Sequence, residues 1–161
     1  MPSHFAYTFY HLPRVHALLA RMAQAAGRDP WPHVKAAVAT GRQGQAINPG
    51  NAQLHLAAAD AFLAEGHVKQ AEGVDASVSW ADCHAALALG ERANPKDYRL
   101  KLLRAELELA QAKGREDAHL KAAQTACLAG LALKRDEPQF RRLLARLGNP
   151  NGDTARSTTY P

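Results

Sequence analysis

Residues 44–49 read GQAINP and residues 90–95 read GERANP. Sliding the chain over itself by 46 residues superposes more than this pair: Gly27, Gly44, Asn48 and Pro49 fall on Gly73, Gly90, Asn94 and Pro95, and Asp29 falls on Asp75. A further shift of 40 carries Gly90 to Gly130, and MAQAAGRD around Gly27 returns as LAQAKGRED around Gly114. Self-similarity at a period of this size marks an array of supersecondary units, each burying its apolar face only against its neighbours. The fold must therefore be one that a repeated unit can build.

The periodicity inside the unit is helical. Val34, Ala37, Gly41 and Gly44 in the first copy correspond to Trp80, Cys83, Leu87 and Gly90 in the second and to Leu120, Ala123, Cys127 and Gly130 in the third. Steps of three, four and three place each set on one face of an α-helix. Glycine on such a stripe costs up to about 1 kcal/mol of helix propensity, so its recurrence implies a packing contact, with two backbones lying close together. The Asn-Pro that follows ends the helix, because the residue before proline is pushed out of the α region. The proline, or a residue just after it, then opens the next helix. Those stripes belong to the second helix of each unit; Leu54, Leu56, Ala59 and Phe62, then Leu100, Leu102, Ala105 and Leu107, then Phe140, Leu143 and Leu147 mark the first. The pattern predicts seven helices, over about 14–26, 31–45, 51–65, 76–93, 97–113, 117–133 and 137–147. Residues 66–73, GHVKQAEG, fit either a helical extension through Gly66 or a loop.

With 161 residues the chain is long enough for one domain with a real core. The repeat-bearing region is 14–147, preceded by an aromatic segment, 1–13, carrying Phe5, Tyr7, Phe9 and Tyr10, and followed by a polar, flexible tail, 148–161. The aromatics are suited to covering an open apolar end of the array, or to forming a dimer contact. Twenty Lys+Arg against fifteen Asp+Glu leave a net charge of +5, spread along the chain and not clustered. Such a balance serves solubility more readily than nucleic-acid binding. Two cysteines make neither a disulfide framework nor a metal pattern. No apolar run reaches the length of a membrane helix and the first residues lack a signal peptide's pattern, so a cytoplasmic protein without a membrane partner is expected.

The second-helix pattern, a small residue followed by a large one, a small one and a proline, resembles the signature of tetratricopeptide repeats. It is carried by Ala37-Gly41-Gly44-Pro49 and Cys83-Leu87-Gly90-Pro95; the third copy, Ala123-Cys127-Gly130, has Arg135 where the proline would stand. The first-helix signature is similar at Ala58-Ala59-Phe62 but lacks its tryptophan. The resemblance covers roughly 14–147 and implies an all-α, right-handed stack of about three helical hairpins, an α-solenoid whose first helices line a concave groove. It places Gln53, Leu56 and Asp60, then Arg99, Leu102 and Glu106, then Gln139, Arg142 and Arg146 towards that groove. Arginine there can fork onto a carboxylate or phosphate. The lysine-asparagine carboxylate clamp of some such domains is absent, with Leu56 and Asp60 in two of its places. Gly-x-Asp between helices and Asn-Pro between units are also similar to the repeat tails of bacterial eukaryotic-type serine/threonine kinases. That likeness implies a regulatory or docking fragment, since no glycine-rich phosphate loop, His-Arg-Asp loop or Asp-Phe-Gly is present.

No catalytic constellation can be argued from the sequence. Eight histidines contain no pair at the i, i+3 or i, i+4 spacing of a helical metal site and read as scattered surface residues. Cys83 and His84 are neighbours that point about 100° apart on a helix, and Cys83 and Cys127 lie on the buried stripe as small apolar residues. Glu106 and Glu108 face different ways and form no dyad within their helix. An enzyme would have to gather His55, Asp60 and Cys83 from different helices. The expected function is a non-catalytic interaction module that binds a protein or peptide without a metal or cofactor, through Gln53, Asp60, Arg99, Glu106, Arg142 and Arg146. A basic helical repeat that binds RNA is the alternative; it would be marked by salt-dependent affinity and by aromatic or arginine side chains placed for bases.

Overall fold

A computed structural model describes residues 4–112 and 118–148, with side chains from Tyr7 onward; the Phe5 side chain, Gly114 and the tail beyond Gly148 lie outside that description. The described residues are all-α: α1 (His4–Ala25), α2 (Trp31–Ile47), α3 (Ala52–Ala71), α4 (Ser77–Ala93), α5 (Tyr98–Gln111), α6 (Ala118–Leu133) and α7 (Pro138–Gly148). Two helices are longer than their patterns suggested. α1 starts ten residues earlier, running through a fully buried Pro13. α3 continues through Gly66 to Ala71, which resolves 66–73 in favour of helix.

The repeated punctuation is two kinds of helix terminus. Gly27 and Gly73 have φ of 66° and 70°, the left-handed conformation glycine adopts without a Cβ penalty. At each, the next residue's N–H donates back across the turn: Arg28 to the Ala23 carbonyl and Val74 to the Lys69 carbonyl, both at 2.8 Å. These paired bonds satisfy carbonyls that a helix end leaves open. Two residues on, the carboxylates of Asp29 and Asp75 accept the backbone N–H of Trp31 and Ser77, each at 2.9 Å. The Asn-Pro element ends one helix, and of the two openings the sequence allows the later is used, α3 and α5 each starting three residues after the proline. Pro49 and Pro95 do not open helices; they sit inside turns closed by Asn51 N–H to Asn48 O at 3.1 Å and Asp97 N–H to Asn94 O at 3.3 Å. Asn51 and Asp97 then cap α3 and α5 by accepting from Gln53 and Arg99 N–H. Lys134 and Glu137 form the third such turn without a proline.

Sequential helices pack on each other, and the backbones of α1, α3, α5 and α7 also approach one another closely in that order; those of α2, α4 and α6 stay further apart, with α2 and α4 meeting through the Arg42–Asp82 ion pair at 2.8 Å. The odd-numbered helices thus form a continuous layer. α3 is its centre, buried from Leu54 to Ala64 without interruption. One core gathers Tyr10, Leu54, Phe62, Trp80, Leu87 and Leu100; another joins Leu102, Cys127, Phe140 and Leu143 at the α7 end.

The stripe glycines are buried as expected, but what occupies their space is mostly side chain. A Cβ on Gly44 would stand 3.1 Å from the Phe9 Cβ, and one on Gly90 would stand 2.8 Å from a Leu100 methyl. One on Gly130 would overlap the Phe140 ring. Leu54, Leu100 and Phe140 each lie ten residues after their glycine, so the first turn of the next helix folds a large apolar side chain into the gap. Backbone approach of the kind expected occurs at Gly41, whose added Cβ would lie 3.0 Å from the Ala58 Cα.

Candidate functional site

The odd-numbered helices enclose an open cleft of about 310 Å3, lined by residues of α1, α3, α5 and the start of α7. Arg14 and Arg21, two turns apart on α1, both point at it. On its floor Asp60 of α3 is buried, and Arg21 donates to it at 2.5 Å while Arg14 lies 4.0 Å away. Arg99, two residues past the α5 cap, clasps Asp97 through Nε at 2.8 Å and through a terminal nitrogen at 2.6 Å. Its remaining terminal nitrogen donates to the Tyr10 hydroxyl at 2.8 Å, which also accepts from Arg14 at 2.6 Å. This mutual support holds the Asp97 carboxyl below its usual range, the Arg99 hydrogen bonds outweighing the burial that opposes them. One arginine wall of the cleft is therefore already satisfied by the protein itself.

Glu106 is not. It lies two turns along α5 from Arg99, half-buried, and makes no hydrogen bond or ion pair with any described residue. Burial raises its pKa, aided by Asp60 and opposed by Arg21 and Arg146. Desolvating a carboxylate without a partner costs free energy. The cleft thus carries one charge that the protein leaves unpaired beside guanidinium groups with donors to spare.

Of the residues anticipated for binding, Asp60, Arg99 and Glu106 line this cleft together with Leu56, Leu102 and Gln139. Gln53 sits exposed at the first turn of α3, its backbone N–H taken by Asn51. Arg142 and Arg146 are exposed on α7, outside the lining. Arg146 nevertheless reaches the field of Glu106 and of His67, whose pKa is lowered by burial and then by Arg21 and Arg146. Sequence reasoning missed Arg14, Arg21 and Tyr10 because α1 was given no part in the groove. Their signal was the seven-residue spacing of the only two formal charges on α1.

The other groups with chemical potential are committed. His55 is a correction to the surface-histidine reading: it is buried, its Nδ1 3.0 Å from Gln45 Nε2 and its Nε2 2.7 Å from the Pro49 carbonyl. Cys83 is fully buried with Sγ 3.3 Å from the Ala59 carbonyl, and burial pushes its thiol far up. Cys127 is likewise pushed up to about 11. His55, Asp60 and Cys83 therefore serve three different partners. Cross-helix pairs invisible to a spacing rule do occur. Buried Glu108 lies 2.7 Å from His119 Nδ1 and 3.8 Å from His84 Nδ1, joining α4, α5 and α6. His16 and His33 approach at 3.3 Å between α1 and α2.

Among the described residues no group of three or more His, Cys, Asp or Glu is placed to hold a metal ion, and no helix is long and apolar enough to cross a membrane. Neither a family model, nor a curated protein, nor a solved structure matches this chain.

Proposed function

We propose that this protein is a non-catalytic docking module, a right-handed stack of about three tetratricopeptide-like helical hairpins whose concave side binds a peptide or protein segment. The observation that carries the reading is Glu106, a half-buried carboxylate without a partner in an open cleft. A charge held at a stability cost in a cleft marks a site of interaction with something outside the protein. Continuous contact among the odd-numbered helices supports it as well, since the cleft spans several repeat units as an extended ligand requires. Arg14 and Arg21, with Arg142 and Arg146 on the rim, suit acidic groups of the ligand, while Glu106 and Asp60 suit a basic one. Nucleic acid is the poorer fit: Tyr98 is the one aromatic side chain among the cleft's lining residues, whereas single strands are held by stacking. The likeness to kinase tails would make the module a regulatory fragment, with the same groove.

The test is selection from a displayed random-peptide library against wild type, Glu106→Arg and Arg142→Glu/Arg146→Glu. Wild type should enrich a consensus that Glu106→Arg loses with its melting temperature kept. The rim variant should weaken the same peptides while changing stability by under about 0.5 kcal/mol, as exposed sites do. No consensus, or an identical one on Glu106→Arg, refutes the reading. Salt-dependent binding of single-stranded RNA by wild type would transfer the function to nucleic acid.

A further inference from the structure

His16 of α1 and His33 of α2 bring two imidazoles nitrogen to nitrogen, Nδ1 to Nδ1 at 3.3 Å. The ring centroids are 5.6 Å apart, so the rings meet end-on. Both are half-buried in the seam where α1 packs on α2. Their backbones are held by the buried residues beside them, Ala17 against Ala37 and Ala20 against Val34. Among the described residues neither ring has a further hydrogen-bond or ion-pair partner. A neutral imidazole carries one N–H and one bare nitrogen, so the contact is attractive only with a hydrogen on one Nδ1 and none on the other.

That separation is also the edge of a coordination tetrahedron. Two imidazole nitrogens bound to zinc at about 2.0–2.1 Å in tetrahedral geometry stand about 3.3–3.4 Å apart. From the end-on arrangement each ring has to turn by about 35° to aim its lone pair at the common centre. The torsion that turns an imidazole is soft, so both helices can stay in place. The nearest cationic residues in sequence, Arg14 and Lys35, are each two positions from a histidine and thus about 160° round its helix.

We propose that His16 and His33 form a two-histidine site for a late first-row divalent cation, zinc by its geometry, with water completing the tetrahedron. Imidazole suits such ions, whereas magnesium and calcium require oxygen ligands. The ion takes the place of the shared hydrogen. Both Nδ1 lone pairs bind it, the displaced hydrogen passes through solvent to Nε2 of the same ring, and each imidazole stays neutral. His33 lies in the first turn of α2, whose dipole opposes a cation, and no carboxylate joins the pair. The affinity is accordingly modest, and its effect is to tie α1, which supplies Arg14 and Arg21 to the cleft, to α2.

Isothermal titration with zinc chloride, with magnesium chloride as the control, tests the site. Wild type should bind one zinc ion and no magnesium. His16→Ala and His33→Ala should each bind zinc at least about 10-fold more weakly, because either ring alone loses the advantage of a second ligand held close by. His119→Ala, which removes the histidine bound to Glu108, should keep the site. Zinc should raise the melting temperature of wild type and of His119→Ala but not of the two site variants, whose metal-free melts report any loss of folding separately. No binding with zinc on the order of 1 mM overturns the proposal. So does binding that survives His16→Ala/His33→Ala, or a loss seen with only one of the two single variants.

Discussion

Alanine placed at Gly44, Gly90 and Gly130 should have three different effects, although the three positions are equivalent in the repeat. In a helix interior alanine is favoured over glycine by about 1 kcal/mol, and overpacking a core costs about 1–3 kcal/mol. At Gly44 the new Cβ meets Phe9 at 3.1 Å and Leu54 at 3.5 Å, so tenths of an ångström suffice and the two terms cancel to within about 0.5 kcal/mol. At Gly90 it meets a Leu100 methyl at 2.8 Å; that leucine is fully buried but can re-seat its tip, for a net loss of about 0.5–1 kcal/mol. At Gly130 it overlaps three atoms of the Phe140 ring, which is fully buried and flat, so the ring must move as a body. There the upper end of the overpacking range applies and the net loss is about 2 kcal/mol. Urea unfolding followed by circular dichroism, with the slope compared across variants, measures the series. Combining Gly130→Ala with Phe140→Leu should cost less than the sum of the single changes, because the smaller side chain clears the new methyl. A Gly130→Ala protein as stable as wild type, or a reversed order, would show that ring insertion is not what the glycines are for.

The raised pKa of Glu106 has a definite sign in stability. Its penalty is absent below the ordinary carboxylate pKa of about 4.3 and grows until pH exceeds the raised folded value. Glu106→Gln should therefore stabilise the protein at pH 7–8, with the gain vanishing as pH falls below about 4.3, in thermal melts across that range. Asp97 has the opposite sign: its depressed pKa gives stability that is present above the unfolded value and lost as pH falls through the folded one. Asp97→Asn, which can still cap α5, should be less sensitive to acid than wild type. Cys83 and Cys127, buried and raised in pKa, should resist a thiol reagent in the native protein and react together in denaturant; rapid native labelling would contradict their burial.

Most of the helical layout was legible because repetition amplifies a weak local signal. One Gly-x-Asp means little, but Gly27-Asp29 and Gly73-Asp75, 46 residues apart, pointed to one structural unit, a left-handed glycine followed by an aspartate accepting the next helix's N–H. The sequence left open whether Pro49 and Pro95 or a residue just after them starts the next helix, because proline suits both the first helical position and the second position of a turn. Only the caps supplied by Asn51 and Asp97 decide between them. The extent of α1 was hidden by Pro13, which reads as a boundary in sequence yet lies buried inside the helix.

The cleft was half legible for a different reason. Asp60 and Glu106 lie 46 residues apart, one repeat, so the unit that located one located the other. Arg14 and Arg21 belong to α1, where the aromatic opening obscured the repeat, and their partner Asp60 is 46 and 39 residues away. No helical spacing rule can reveal a pair of that kind. Arg14 and Arg21, each 40% exposed at the side chain, stand at the border between the buried and the exposed faces of α1 and reach from there to buried Asp60. Replacing either by an apolar residue would leave Asp60 buried with less of its guanidinium support, a far costlier state than a paired one.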